Sequence, residues 1–205
     1  MLLIVGRSAS GKDYLADSLV RKGAKKVRSY ATRPKRFPGE STHRFVTPDE
    51  AKRITNRVAE TKIGEYEYFV TKNQIKDADI YIIDPIGVKC LASKMSTQTF
   101  DLVYLIANRN EAEKMALKRA ENSEAERKVF EQRVAAEAPE FDAFEQKIQD
   151  DPIANWFMTA KSIGSYLQCS HALYPNVVLR EIFRNTFEKK VMEDEARYLF
   201  RKFVK

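Results

Sequence analysis

Met1-Leu2-Leu3-Ile4-Val5-Gly6-Arg7-Ser8-Ala9-Ser10-Gly11-Lys12-Asp13 runs from an apolar segment through a glycine-bracketed loop into a helical pattern. The apolar residues predict a buried strand, and the spacing of Leu15, Leu19 and Val20 predicts a helix over residues 13–22. Between them, two glycines and small Ala9 and Ser10 let successive backbone N–H groups point into one concavity, and the helix N-terminus adds partial positive charge. A lysine directly after the second glycine reaches the terminal phosphates of an anion held there. Gly6, Arg7, Ser8, Ala9, Ser10, Gly11, Lys12 and Asp13 are therefore the expected ATP-binding residues, with Lys12 catalytic. Asp13 stands where a hydroxyl residue usually helps to hold Mg²⁺, the cofactor expected with ATP. A carboxylate there could ligate the ion directly or through water, or repel a phosphate with no metal between.

Outward from this loop, segments alternate in type. Asp79–Asp84 and Asp101–Ala107 read as buried strands, followed by helical patterns near Gly87–Met95 and Asn110–Arg119. Strands alternating with helices imply crossovers and a parallel sheet. The expected fold class is α/β, a P-loop three-layer sandwich around a central parallel sheet. Ala24–Tyr30 is a further expected strand, and Val58–Ile63 and Glu65–Thr71 form a pair around Gly64. Thr47-Pro48-Asp49-Glu50 has the form of a helix start. Glu124–Ala138 reads as a charged helix, Ala154–Leu167 as another, Asn176–Leu179 as a last strand and Glu181–Phe203 as a long terminal helix.

The 205 residues suit one domain with a small insertion. With 43% hydrophobic and 32% charged residues, the chain is neither a disordered tail nor a membrane bundle. The opening apolar run reads as a core strand rather than a leader, and a cytoplasmic location is expected. Cys90 and Cys169 are too few for a disulfide framework, and His43 and His171 lie too far apart for a zinc site. The charge, 36 − 29 = +7, attracts phosphate without saying whose. No aromatic–basic recognition motif is present, so no nucleic-acid partner and no membrane partner are expected.

The second cluster is Ser29-Tyr30-Ala31-Thr32-Arg33-Pro34-Lys35-Arg36-Phe37-Pro38-Gly39-Glu40, followed by His43-Arg44-Phe45-Val46. Two arginines three apart in a Pro/Gly loop suit a clamp on a phosphate, because guanidinium forks bind oxyanions bidentately. At Ser29, Thr32, Arg33, Arg36, Gly39, Glu40, Phe45 and Val46 the chain resembles guanylate kinase. The resemblance implies that Ser29, Arg33 and Arg36 hold the phosphate of an acceptor nucleoside monophosphate, with His43 in place of a tyrosine. It also implies that Glu60 reads the guanine edge and that Tyr68 touches the phosphate, with Tyr66 as the alternative. A carboxylate suits guanine because N1–H and the 2-amino group are adjacent donors. Ile82-Ile83-Asp84-Pro85-Ile86-Gly87-Val88-Lys89 resembles a further family segment. There Asp84 would assist Mg²⁺ through water or support the acceptor site, beside Asp13 as the other metal candidate.

Lys118-Arg119 and Gln132-Arg133-Val134-Ala135-Ala136-Glu137 resemble the arginine segments of the family's lid. Arg119 and Arg133 are the expected catalytic arginines and Arg127 a third candidate. The implied organisation is a core of residues 1–31 and 72–205 with a helical lid at about 118–140, and an NMP-binding insertion at 32–71. Residues 150–205 form a C-terminal helical portion without an assigned role. The implied function is transfer of the ATP γ-phosphate to GMP or dGMP by a monomer or homodimer. The alternatives are a deoxynucleoside monophosphate kinase of other or broad base specificity, or a non-catalytic guanylate kinase-like binding domain.

Overall fold

A computed structural model describes residues 1–35, 38–119, 124–159 and 166–204. The chain opens with β1 (Leu2–Gly6) and α1 (Lys12–Arg21). An excursion follows: β2 (Tyr30–Ala31), β3 (Arg44–Phe45), α2 (Pro48–Arg53), β4 (Arg57–Ile63), β5 (Tyr66–Thr71) and α3 (Lys72–Lys76). It then returns through β6 (Ile80–Ile82), α4 (Pro85–Lys94), β7 (Phe100–Ala107), α5 (Arg109–Arg119), α6 (Glu124–Gln149) and α7 (Pro152–Thr159). β8 (Tyr166–Tyr174), β9 (Val177–Asn185), α8 (Lys189–Leu199) and a π-helical turn, Phe200–Val204, complete it.

The central sheet has the order β6-β1-β7-β9-β8. β1 runs parallel to β6 and β7, β9 runs parallel to β7, and β8 is antiparallel at the edge. Leu3, Val5, Tyr81, Leu102 and Tyr104 pack with Phe141, Phe144 and Phe157 of α6 and α7. Leu2, Ile4, Ile80, Val103 and Leu105 pack with Leu15 and Leu19 of α1 and Met192, Ala196 and Leu199 of α8. Covered on both faces, β1 has no polar side and reads as an unbroken apolar run. The three-layer α/β architecture is as expected. Among the described residues no helix is long and apolar enough to cross a membrane.

A second sheet, β3-β2-β5-β4, is built from the excursion. Thr47 caps α2 as its sequence predicts, accepting from the Glu50 N–H at 3.2 Å while Glu50 accepts from the Thr47 N–H at 2.7 Å. The expected strand Ala24–Tyr30 is mostly an extended connection: it makes one bridge, Lys26 to Ile80, before the short β2.

The C-terminal third departs most from expectation. The helix expected over Ala154–Leu167 ends at Thr159, and the chain returns as β8. The first residues of the expected Glu181–Phe203 helix belong to β9. Residues 150–205 are thus a strand hairpin flanked by helices, with β9 inside the main sheet. The register of β9 on β7 slips between Leu102 and Val103, where Arg180 forms a bulge. Past the bulge, Glu181 lies opposite Val103 and faces α8. There it lies beside Glu195, both carboxyls being buried. Neither oxygen of Glu181 has a hydrogen-bond partner among the described residues. Burial raises both carboxyls and so favours their neutral forms.

Candidate functional site

Between β1 and α1 the loop closes tightly. Ala9 (φ 59°) and Gly11 (φ 95°) both adopt left-handed backbone. Gly11 is also excluded from carrying a side chain, since a Cβ there would lie 2.3 Å from Asn185 Nδ2. That amide, at the end of β9, donates to the Ser10 carbonyl at 2.8 Å. The Phe187 N–H donates to Asn185 Oδ1 at 2.7 Å and fixes the amide's orientation. The loop is therefore braced by a residue that no motif marks and that lies in a segment expected to be helical. Lys12 Nζ donates to the Arg7 carbonyl at 2.8 Å. Burial pushes the Lys12 ammonium down to about 8; Asp13, Glu137 and Asp84 oppose this, and Arg133 adds to it. At about 8 the ammonium is still mostly charged at neutral pH, and a phosphate would favour the charged form further.

Helix α6 lies against the loop. The Ser8 N–H donates to Glu137 Oε1 at 2.7 Å, and Ser8 Oγ donates to Glu137 Oε2 at 2.8 Å. Arg7 forks onto both oxygens of Glu145 at 2.8 Å and reaches Asp142 at 2.6 Å. Tyr104 donates to the same Glu145. Glu145 first, then Asp142, holds the Arg7 guanidinium firmly charged. Arg7, expected at the ATP, is here engaged by the helix. Arg133 is exposed one turn before Glu137, and its charge acts on Lys12. Arg127 is exposed nearer the helix start. Arg119 closes α5, but its side chain lies outside the described residues, as does Arg36 altogether. A cavity of about 1200 Å³ extends from Ser8 between α6, the ends of β7 and β9, and Phe187. Its place beside the loop and its size suit the nucleoside of a donor.

The second sheet assembles the acceptor candidates by its register. Tyr68 lies opposite Thr61 and Ala31, and Ala31 lies opposite Phe45. Cross-strand partners share a face, so Thr61, Tyr68, Ala31 and Phe45 form one side. His43 joins them, its ring 5.5 Å from Tyr68 and 6.0 Å from Phe45, with Nδ1 2.9 Å from Ser29 Oγ. Arg33 lies over Phe45 at 4.9 Å. Its two terminal nitrogens fork onto Glu40 at 2.6 and 3.0 Å, and Nε has no partner among the described residues. Glu40 first raises the Arg33 pKa against desolvation, with Tyr68 also contributing. Arg33 thus anchors its loop with its fork and keeps only part of its donor set for a phosphate.

Glu60 is not on that face. It lies opposite Phe69, on the side where Tyr30 stacks on Phe69 at 5.1 Å and Arg57 covers the Phe69 ring at 3.7 Å. Its carboxylate meets Lys94 at 2.6 Å and Arg57 at 3.8 Å. The residue that reaches the centre is its neighbour Thr61, which donates to Asp84 Oδ1 at 2.8 Å. Tyr66 lies on the Tyr68 face but at the turn, beside Glu65.

Asp84 ends β6 and caps α4, accepting from the Gly87 N–H at 2.7 Å. Burial raises its pKa and these hydrogen bonds oppose the rise. Asp84 bears electrostatically on Lys12 and is bonded to Thr61, so it links the phosphate loop to the acceptor face. The Asp84 carboxylate already accepts from Thr61 and from the start of α4, and Asp13 is exposed in the first turn of α1. No group of three or more ligating side chains exists among the described residues. That set fits a magnesium ion carried in on phosphates and water, assisted by one or two carboxylates, which is how this ion is commonly held.

No protein-family model matches the chain, and no curated protein sequence matches it. Among solved structures, it is similar to guanylate kinase from Anaplasma phagocytophilum with a TM-score of 0.53 at 14% identity, over 100% of this chain and 87% of that one. At that identity the likeness is one of fold: a mixed α/β architecture with a central, mostly parallel sheet, shared with a guanylate kinase.

Proposed function

We propose that this protein transfers the γ-phosphoryl group of ATP to a nucleoside monophosphate. The observation that carries this reading is Asp84, bonded to Thr61 on the acceptor face and acting on Lys12 in the phosphate loop. Two anion-binding groups of residues thereby converge on the C-terminal end of one strand, where open α/β sheets bind ligands. Lys12 and the loop N–H groups would hold the β- and γ-phosphates. Ser29, Arg33, His43 and Tyr68 would hold the acceptor phosphate, and Arg133 would bring positive charge from α6. Magnesium arriving with ATP would neutralise phosphate charge. The chain's own part is to orient two anions for in-line attack and to exclude water, with no covalent intermediate. Retention of Lys12 favours an enzyme over a binding domain.

GMP or dGMP as acceptor is supported by the resemblance at Ser29, Thr32, Arg33, Arg36, Gly39, Glu40, Phe45 and Val46. A second reading, broad base acceptance, is favoured by one observation: Glu60 faces away from Tyr68 and is occupied by Lys94 and Arg57. A coupled assay of ADP release with ATP and Mg²⁺ over GMP, dGMP, AMP, CMP, UMP and dTMP tests both. Turnover of guanine nucleotides alone supports the first reading, comparable turnover of several supports the second, and turnover of none rejects the enzyme.

A further inference from the structure

Two contacts of α6 play no part in the transfer just described. Glu137 takes the Ser8 N–H and hydroxyl on its two oxygens. Two turns further along, Glu145, with Asp142 beside it, clasps Arg7. Residues four apart share a helix face, so residues 137, 141 and 145 form one stripe that lies on the loop. Phe141 in that stripe is buried under the Arg7 guanidinium, 5.4 Å away. The whole stripe seats on Arg7 and Ser8. The donors at Ser8 are of the kind a phosphate-binding loop presents to its ligand. A carboxylate, planar and singly charged with two acceptor oxygens, imitates one edge of a phosphate group.

We propose that Glu137 is a latch: its carboxylate occupies the outer part of the donor phosphate cradle, and an incoming polyphosphate binds by displacing it. The proposal rests on the donor half of the function proposed above and is independent of the acceptor. Displacement exchanges two charge-assisted hydrogen bonds for those of the ligand. A triphosphate with its metal recovers them with surplus contacts on Lys12 and the remaining loop amides. Inorganic phosphate recovers little more than was given up. The latch therefore selects for long, highly charged donors. It also ties donor binding to release of α6 from Ser8, while the Arg7 clasp keeps the helix attached as it moves. The clasp and the latch lie on one helix, so α6 pivots about Arg7 rather than detaching.

The test uses the full chain and three forms: wild type, Glu137→Gln and Glu137→Asp. Glutamine removes the charge; aspartate keeps it but is too short to reach both Ser8 donors. ATP affinity is measured by calorimetry, and amide hydrogen exchange at Ser8 is measured without nucleotide. Both variants are expected to bind ATP about tenfold more tightly and to exchange faster at Ser8. Tighter binding by Glu137→Gln alone, with Glu137→Asp like wild type, would assign the effect to long-range charge and overturn the latch. Equal or weaker binding by both variants would do the same, as would unchanged exchange at Ser8. If no form binds ATP while Ser8 exchange still rises in the variants, the contact is real but the kinase reading falls, and the latch loses its ligand with it.

Discussion

Lys12 offers a direct test of the donor site, because its depressed pKa makes ligand binding a proton-coupled event. Burial lowers the ammonium from 10.5 to about 8. At pH 8.5 about three-quarters of the lysines are neutral in the free protein, by simple titration of a group near 8. A bound triphosphate favours the charged form and returns the group toward its ordinary value. Binding at pH 8.5 therefore takes up about 0.75 proton, against roughly 0.1 at pH 7. The sign follows: the complex holds more protons than the free protein above pH 8, so affinity falls as pH rises. With the bound lysine back near 10.5, ATP affinity drops by roughly 15-fold between pH 8 and 9.5. Calorimetry in two buffers of different ionisation enthalpy reads the proton uptake at pH 8.5, where ATP itself is fully ionised. A Lys12→Arg form, charged throughout this range, should bind without that uptake. Identical heats in both buffers for the wild type would show that Lys12 is already charged when free, or that it never meets the phosphate.

Arg33→Ala takes the guanidinium fork from buried Glu40, which keeps the Thr42 hydroxyl as a donor, so a loss of about 3 kcal/mol in stability is expected; an unchanged urea midpoint would mean that the loop does not depend on this pair. Glu60→Gln is expected to leave the order of preference among nucleoside monophosphates unaltered in the ADP-release assay, and a selective loss of GMP turnover would return Glu60 to the acceptor site. The Glu181–Glu195 pair makes folding take up a proton at neutral pH, because Glu181 is raised far above its ordinary 4.5 in the fold. Stability from this source is full at low pH and declines as pH rises, by up to about 1.4 kcal/mol per unit. Urea titrations at pH 6, 7 and 8 should show that decline in the wild type and a flatter profile in Glu181→Gln; a flat wild-type profile would mean that burial does not hold Glu181 neutral in the fold.

What the sequence reveals is what depends on neighbours. The phosphate loop forms from a strand end, two glycines and a helix start that lie within thirteen residues, and its geometry follows from local rules. The acceptor face is half legible. Ser29, His43 and Tyr68 do converge, but the choice between Glu60 and Thr61 depends on hairpin register. β4 ends at Ile63 and β5 begins at Tyr66, and this two-residue turn decides which side each residue takes. A shift of one residue reverses every side chain of a strand, so matching spacing alone does not say which of the two shares a face with Tyr68. Asn185 and Glu137 are invisible for another reason: their partners lie 175 and 129 positions away. β9 reads as the start of the terminal helix because it is covered on both faces and carries a buried glutamate. It therefore shows neither the alternation nor the uniform apolarity by which strands are recognised.

Asn185 carries one more consequence, for how the protein comes into being. A ribosome makes the loop 175 positions before its brace, so the loop waits through that stretch of synthesis without the amide that holds the Ser10 carbonyl. Chains cut short before β9 would carry an intact glycine loop without the amide that braces it. The loop's final geometry arrives only as β9 slides into the central sheet, which makes folding of a distant strand a condition for a finished loop.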